Sequence, residues 1–565
     1  MKPIKQLDFI GKTYKHIKRY QEIVRVVIKY GYGDLVKRLN LGKTFDFESH
    51  VLDTEPKRDV DTIGRWARVR LMIEELGPSF IKIGQILSVR PDMIPPELAL
   101  ELEKLQDQVP PFSGNEARKI IETELGGPVE EFFDHFDKTP LASASIAQVH
   151  RGRLKTGEEV AIKVQRPNIK ETVQIDTEIL YHIAYLAEKY LIENSSFSPT
   201  QLVDEFSESL EKEMDFNHES VNARRFAQNF EDNDLIRVPR VFQDYSTVNV
   251  LTLEYIKGVK INERDKIIEA GLNPRILAKR GTDLVLEQVF FHGFFHADPH
   301  SGNIHALSGN VLCFLDFGMM GVITTSLKNG LNNFIIALTL KDERKLVQSV
   351  FKLSGQRVYE DKASFEKDLT DFMQNYFYMP LKEIKMSQMF PDLLRVMDRN
   401  NVKINPQAYM LFKAFGTIEG TALELDPDLE IIKRIEPFAK KSMEMKLDPE
   451  RLAQDLFWSA LDLNEVLRDI PGDVKDVIYK LKKGKVDVSF EHKGLLPVLD
   501  QLGIISNRVS FSIVLASLII GSSLVVLSNI PPKIYDIPLI GIVGYAISAV
   551  MGVWLLISII RSGNF

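Results

Sequence analysis

The stretch 296–318 reads HADPHSGNIHALSGNVLCFLDFG, and the spacing of its polar residues indicates a site that handles phosphate groups. Asp298 can orient an attacking hydroxyl or water and accept its proton, while Asn303 and Asp316 offer oxygen ligands to Mg²⁺. Asp316 follows the apolar run 311–315 and lies 13 residues after Asn303, which leaves room for a strand, a turn and a second strand. The stretch therefore predicts that Asn303 and Asp316 meet at one metal ion.

An upstream lysine extends this pattern. Residues 160–163 read VAIK, and a strand that ends in Lys163 would place a fixed cation at the floor of a nucleotide cleft. Each motif alone arises by chance. The order lysine strand, H-x-D-x-x-x-x-N and D-F-G is far more specific. Together the motifs predict that the chain binds ATP and Mg²⁺ in a protein-kinase-like fold.

Further segments resemble the UbiB/AarF family, whose eukaryotic relatives are the ADCK kinases. Residues 82–85 (KIGQ) match the K-x-G-Q motif of that family, and residues 213–215 (EMD) match its E-x-D motif. Glu219 falls where the family places the acid that pairs with the strand lysine. The alanine-rich nucleotide loop of the family is matched by Ala142, Ser143, Ala144, Ser145, Ile146, Ala147, Gln148 and Val149. The resemblance covers about residues 60 to 440.

The resemblance implies that Lys163 and Glu219 fix the phosphates of ATP. Glu254, near the end of a strand predicted from Val248 to Tyr255, is a further candidate for nucleotide binding. No A-P-E triplet follows the D-F-G motif, so the usual activation segment and peptide shelf are not expected. Phosphorylation of a protein substrate is therefore not expected.

The K-x-G-Q segment is predicted to form a helix from Ser79 to Val89 with one apolar face. In the family this helix covers the cleft where a protein kinase would admit its peptide. Lys82 would point inward and needs a carboxylate partner, for which Glu213 and Asp215 are the available pair. Gly84 would permit the close approach of another backbone.

The leading hypothesis is a membrane-anchored ATPase, or atypical kinase, that supports isoprenoid quinone biosynthesis, of ubiquinone or menaquinone. The expected partners are membrane lipids, quinone precursors and the enzymes that act on them. The quinone role comes only from the resemblance. A small-molecule or lipid phosphotransferase is the first alternative, because such enzymes share the H-x-D-x-x-x-x-N loop, and a non-catalytic membrane scaffold is the second.

The composition of the 565-residue chain excludes other classes. Hydrophobic residues make up 44% and charged residues 26%, as in ordinary globular proteins. The net charge of −7 gives no overall basic field for nucleic acid, which is not an expected partner. The single cysteine, Cys313, excludes a disulfide framework and is predicted to be a core residue of a buried strand.

The two ends of the chain differ from its middle. Residues 1–43 carry eleven Lys or Arg against three Asp or Glu, and apolar residues recur there at helical spacing. Such a segment either lies on an anionic membrane or packs on the protein, and both interpretations stay open. Residues 509–528 and 537–560 carry no charge and are each long enough to span a bilayer.

The short link between these two apolar segments predicts a hairpin with both outer ends on one side. Arg508 and Arg561 flank those ends, and this charge bias predicts that the catalytic part faces the cytoplasm. The resemblance implies that the membrane is the cytoplasmic membrane of a bacterium. Gly544, Ser548 and Gly552, and likewise Ser517 and Gly521, are spaced by four. Small residues at this spacing predict close packing of the hairpin on itself or on a second copy, in a homodimer.

The predicted fold class is α+β, a bilobal protein-kinase-like fold with a helical N-terminal extension and a C-terminal transmembrane helical hairpin. Residues 61–135 are expected to be helical, one helix is expected from Pro199 to about Phe230, and 263–480 is expected to be mostly helical around a strand at 312–316. The predicted boundaries are a basic amphipathic segment (1–45), the extension with K-x-G-Q (46–135), an N-lobe (136–258), a C-lobe (259–440), a helical connector (441–507) and two transmembrane helices (508–562).

Overall fold

The structure of the chain is a computed structural model that divides into two compact units, Met1–Leu452 and Ala453–Phe565. Predictions that fall on residues 1–13, 42–62 and 446–494, including most of the connector, lie outside the described residues. The described residues are 14–39, 41, 63–90, 94–105, 109–191, 198–356, 361–380, 383–445, 495–528, 530–534 and 537–561.

The first unit combines short strands with longer helices. Its strands are β1 (Phe133–Phe136), β2 (Ala142–Ser143), β3 (Ala147–Leu154), β4 (Glu159–Gln165), β5 (Ile236–Arg237), β6 (Val250–Glu254), β7 (Val259–Lys260), β8 (Phe294–His296), β9 (Ile304–Leu307), β10 (Val311–Phe314) and β11 (Met320–Val322). Its helices are α1 (Tyr14–Val27), α2 (Gly33–Arg38), α3 (Arg65–Leu76), α4 (Pro78–Ser88), α5 (Pro96–Leu102), α6 (Gly114–Leu125), α7 (Val129–Phe132), α8 (Ile169–Leu191), α9 (Pro199–Glu213), α10 (Phe216–Asn229), α11 (Arg264–Glu269), α12 (Pro274–Glu287), α13 (Thr325–Leu340), α14 (Glu343–Ser354), α15 (Lys362–Phe377), α16 (Met386–Arg399), α17 (Pro406–Leu425) and α18 (Ile431–Glu444).

The predicted two-lobed architecture is confirmed. In the smaller lobe, an antiparallel sheet has the order β1-β3-β4-β6, with β2 added to β3. Because side chains alternate along a strand, Val160, Ile162 and Val164 of β4 enter the core, while Lys163 points to the other face. The larger lobe is helical and carries the β5-β10-β9-β7 sheet and the β8-β11 pair. Cys313 is fully buried in β10, as predicted.

Three local predictions were wrong. The helix expected from 199 to 230 is two helices, because Asp215 is extended and its carboxylate accepts a hydrogen bond from the Asn217 N–H at 2.9 Å, which starts α10. Residues 133–135 of β1 lie inside the segment expected to be helical. The C-lobe segment expected to hold one strand contains β8, β9, β10 and β11, whose three or four residues are too few to show a periodic pattern.

The basic N-terminal helix α1 packs on the protein. Tyr20 and Val24 are fully buried, and Arg19 Nε donates to Asp176 Oδ1 of α8 at 2.7 Å. A guanidinium that pairs with a fully buried carboxylate fixes the orientation of the helix. The apolar face of the described part of this segment is therefore covered by protein, which favours the second of the two interpretations left open by the sequence.

Gly84 of α4 lies against side chains, whereas the sequence led us to expect another backbone. A Cβ atom at this position would overlap Leu105 Cδ1 and lie 3.3 Å from Ile73 Cγ2. We expect Gly84→Val to lower the free energy of unfolding by about 1–2 kcal/mol, because the extra methyl groups overpack this contact.

Thermal unfolding checks this expectation, with Gly420→Val as the matched control. Gly420 is exposed in the middle of α17, and its position is open to solvent with nothing within 4 Å of an added Cβ. Equal stability of the two variants would contradict the packing seen around Gly84.

The described part of the second unit is a helical hairpin formed by α19 (Leu495–Leu527) and α20 (Leu539–Arg561), joined through β12 (Lys533–Ile534) and β13 (Ile537–Pro538). Ser506–Leu527 and Leu539–Leu556 are long and apolar enough to cross a membrane. Gly544 packs directly on Ser522, whereas Gly521 faces open space. Two sets of small residues were expected to mediate packing, and the set that contains Gly544 lies inside the hairpin.

Candidate active site

A cleft of about 990 Å³ separates the sheet of the smaller lobe from the larger lobe. Four residues of the predicted nucleotide loop line this cleft: Ala142, Ser143, Ala144 and Val149. The other four residues of this loop are buried: Ser145, Ile146, Ala147 and Gln148. Glu254 also lines the cleft, and its carboxylate pairs with Arg237 at 2.6 Å. The cleft is large enough for a nucleotide.

Lys163 lines the same cleft and pairs with Glu219, the acid that the resemblance implied. Its Nζ lies 2.8 Å from Glu219 Oε2 and 3.0 Å from Oε1, so β4 and α10 are held together by a bidentate contact. Burial disfavours the ammonium, but the negative charges of Asp316 and Glu219 outweigh this effect and raise the pKa of Lys163. Lys163 is therefore a permanent cation at the floor of the cleft.

Asp316 and Asn303 line the cleft at its inner end. Asp316 Oδ1 accepts from the Gly318 N–H at 2.8 Å, and the Leu315 N–H donates to the Asn303 carbonyl at 3.0 Å. Burial opposes ionisation of Asp316, but the Lys163 ammonium and the Gly318 N–H hold the pKa of this carboxyl well below its usual range. An ionised carboxylate beside an amide oxygen is a donor set that suits Mg²⁺.

The donor set also indicates how Mg²⁺ would be held. Among the described residues, no group of three or more His, Cys, Asp or Glu side chains could enclose a metal ion. Mg²⁺ in kinase-like sites is bound through one or two side chains together with the phosphates and water. Asn303 and Asp316 therefore fit a metal ion that arrives with ATP and neutralises the charge of its phosphates.

His296 connects Asp298 with Asp316, a role that the sequence alone did not predict. Its Nδ1 accepts from the Asp298 N–H at 3.2 Å, and its Nε2 donates to the Asp316 carbonyl. The ring is buried, and burial lowers the pKa of His296. A neutral imidazole with this hydrogen bonding fixes the backbone at the two aspartates.

The D-F-G phenylalanine is anchored from two sides. The Phe317 side chain is fully buried and packs against Phe226 of α10, with the ring centroids 5.2 Å apart. Its carbonyl accepts from Asn222 Nδ2 at 3.0 Å. Since α10 also carries Glu219, one helix positions both the lysine and the D-F-G segment.

The K-x-G-Q helix α4 places Lys82 beside Glu213, the last residue of α9, and the two form a buried ion pair. Of the two carboxylates that the sequence offered, Glu213 is the one that faces Lys82. Asp215, also predicted as a catalytic candidate, lines neither cavity of the site, because its carboxylate caps α10.

A second, smaller cavity of about 90 Å³ lies on the far side of Asn303 and Asp316, which line both cavities. It contains Asp298 and is bounded on one side by Lys82 and Gln85 of α4. A water molecule occupies roughly 30 Å³ in the liquid, so this cavity holds a few waters or one small group. Its polar walls and small size differ from the peptide groove of a protein kinase.

Two residues of the smaller cavity had no signal in the sequence. Glu103 follows α5 in the N-terminal extension, and Lys413 lies in the middle of α17 in the larger lobe. The Tyr409 hydroxyl donates to Glu103 Oε1 at 2.9 Å and links the two elements. Neither residue belongs to a motif, and they meet only because the extension packs on the larger lobe.

Three family models match the chain. They are the ABC1 atypical kinase-like domain over residues 104–350, the UbiB helical domain over 369–430 and the ABC1/UbiB kinase-like C-terminal domain over 493–561. Among solved structures, the erythromycin complex of Rv3197 from Mycobacterium tuberculosis is 21% identical, covers 66% of this chain and 94% of its own, and superposes with a TM-score of 0.44.

Relatives from bacteria resemble the chain over most of its length. An uncharacterized protein from the hydrogenase 1 5′ region of Clostridium pasteurianum is 34% identical, over 97% of this chain and 99% of its own. A protein of Marinobacter nauticus named "Probable protein kinase UbiB" is 35% identical, over 74% of this chain and 78% of its own. The chain belongs to the ABC1/UbiB family of atypical kinase-like proteins.

Proposed function

We propose that this protein is a membrane-anchored ATPase that supports isoprenoid quinone biosynthesis. The observation that carries the ATPase proposal is the pair of cavities that meet at Asn303 and Asp316. The larger cavity has the volume and lining for a nucleotide. The smaller one holds Asp298 in a space that suits water. An acceptor as large as a peptide does not fit there.

Each residue of the candidate site has a separate role in the proposed hydrolysis of ATP. Lys163, held by Glu219, would bind the phosphates of ATP, and Asn303 and Asp316 would hold Mg²⁺ on them. Asp298, whose backbone is fixed by His296, would orient a water molecule in the smaller cavity and accept one of its protons. Because the site already holds these groups in position, catalysis would come mainly from positioning and charge stabilisation.

Family membership supports the quinone role, and the two apolar helices support membrane anchoring. Large apolar side chains such as Ile513, Leu524 and Val550 are exposed on the outer faces of the hairpin. The exposure of such a surface to water costs free energy, whereas the hydrocarbon core of a bilayer accommodates it. A membrane-bound ATPase next to lipid-soluble quinone precursors could extract them, present them to enzymes or organise those enzymes.

One experiment separates this function from its alternatives. The purified full-length protein is given γ-labelled MgATP with and without phospholipid vesicles, with quinone precursors or with a peptide library. We expect slow release of labelled phosphate and no labelled peptide. Label transferred to a lipid or a quinone precursor would instead show a phosphotransferase, and no turnover under any condition would support the scaffold. Efficient labelling of peptides would contradict the proposal.

Membrane anchoring has its own test. We expect removal of residues 506–565 to release the protein from membranes, because this segment contains both candidate spans. The basic N-terminal segment should add at most a weak attachment, since the apolar face of α1 is already buried. Fractionation after high-salt and alkaline washes checks this. A truncated protein that resists both washes would show that the hairpin is not the anchor.

A further inference from the structure

The smaller cavity contains a cation that the proposed mechanism has not used. Lys82 pairs with Glu213 and Lys163 pairs with Glu219. Lys413 lines the same cavity as Asp298, is half-buried, and forms no ion pair or hydrogen bond within the described part of the chain. A partly buried ammonium without a partner carries a desolvation cost that an anionic ligand would offset.

Glu103 interacts electrostatically with Lys413 but forms no ion pair with it in the described part of the chain. Part of the Glu103 side chain reaches the surface, but its carboxyl group is held by the Tyr409 hydroxyl at the cavity wall. Burial there, reinforced by the negative charge of Asp298, raises the pKa of Glu103 although Lys413 acts in the opposite direction. The Glu103 carboxyl group is therefore engaged by Tyr409, and the Lys413 ammonium stays available to an anion.

The position of Lys413 indicates which anion it would meet. Asn303 and Asp316 line both cavities, so the terminal phosphate of a nucleotide in the larger cavity would lie at the junction. Lys413 and Asp298 line the smaller cavity and not the larger one, so they lie beyond this junction from the proposed nucleotide cavity. Charge that develops on the transferred phosphoryl group, and the phosphate that is released, would face Lys413.

We propose that the smaller cavity is a phosphate-binding site in which the Lys413 ammonium contacts the γ-phosphoryl group during hydrolysis and the phosphate product afterwards. This inference rests on the proposed ATPase function. In the step, a water oxygen forms a bond to the γ-phosphorus, and one water proton passes to the Asp298 carboxylate. The bond from the γ-phosphorus to the bridging oxygen breaks, and its electron pair leaves on ADP.

The test uses aluminium fluoride, which together with MgADP mimics the transferring phosphoryl group. In the full-length protein, Lys413→Met should leave thermal stabilisation by MgADP unchanged. The aluminium fluoride concentration needed for further stabilisation should rise roughly tenfold or more. For ATP hydrolysis, kcat should fall roughly a hundredfold while KM stays the same. Lys413→Arg should restore most of both properties, because it keeps the charge.

The matched control is Lys403→Met, which removes the same charge from an exposed position just before α17 that lines neither cavity. MgADP alone should stabilise the wild type. If aluminium fluoride then adds the same stabilisation to the wild type and to Lys413→Met, or adds none to either, the proposed role of Lys413 is wrong, whereas the proposed nucleotide site is supported. If MgADP does not stabilise the wild type at all, the nucleotide site itself is wrong, and this inference falls with it.

Discussion

Asp316→Asn is expected to abolish the binding of MgATP while the protein stays folded. The change replaces an anionic oxygen with a neutral amide at the position where Mg²⁺ and the phosphates would meet, and Mg²⁺ strongly prefers the anion. The backbone should hold its shape, because an asparagine side-chain oxygen can still accept the Gly318 N–H, as Asp316 Oδ1 does. We expect the affinity for MgATP to fall roughly a hundredfold or more.

Thermal stabilisation of the full-length protein by MgATP, and by ATP with EDTA, measures this effect. Asp265→Asn is the matched control, because Asp265 is exposed on α11 and lines neither cavity. The difference between Mg²⁺ and EDTA should vanish in Asp316→Asn and persist in the control. Stabilisation by MgATP that survives the Asp316→Asn change would show that the metal is held elsewhere.

Contacts encoded in short motifs were predictable from the sequence. The lysine of VAIK and Glu219 meet as the resemblance implied, and Asn303 and Asp316 come together because a strand, a turn and a strand separate them. The predicted pairing of Lys82 with Glu213 was likewise found. In each case a local pattern determines the direction of the side chain, and the tertiary fold only has to bring two such patterns together.

Features that depend on distant packing were not predictable in this way. Asp215 was predicted to lie in a continuous helix, but an aspartate with extended backbone prefers to cap the next helix. Glu103 and Lys413 are separated by several hundred residues and meet through Tyr409, so no local pattern could place them in one cavity. The short strands of the larger lobe give too few residues for a period to appear.

Lys82→Ala is the variant that best tests how the K-x-G-Q helix acts on the nucleotide. The Lys82 side chain is 9% exposed and that of Glu213 is 14% exposed, so removal of the ammonium leaves a carboxylate buried without its cation. We expect a loss of about 3 kcal/mol in the free energy of unfolding, because an uncompensated buried charge is costly. A protein of ordinary stability remains folded after such a loss.

The same variant should change how the site handles Mg²⁺ and ATP. The positive charge of Lys82 helps to lower the pKa of Asp316, after the larger effects of the Lys163 ammonium and the Gly318 N–H, so Lys82 and Asp316 interact electrostatically. Without Lys82, the carboxylates around the metal position carry one more uncompensated negative charge. The Mg²⁺ concentration needed for nucleotide binding should therefore fall roughly threefold to tenfold, and ATP turnover should change with it.

Magnesium titrations at fixed ATP, together with turnover, distinguish this effect from simple loss of stability. Lys212→Ala removes an equal charge from the exposed neighbour of Glu213 and should behave as the wild type. Glu213→Gln combined with Lys82→Met removes both charges of the pair, so it should recover most of the lost stability and reverse the shift in the Mg²⁺ requirement. If Lys82→Ala matches the wild type in Mg²⁺ requirement and in turnover, the K-x-G-Q helix is only a cover over the cleft. A shift in the predicted direction that the double variant cancels would instead show that the helix tunes the charge at the metal position.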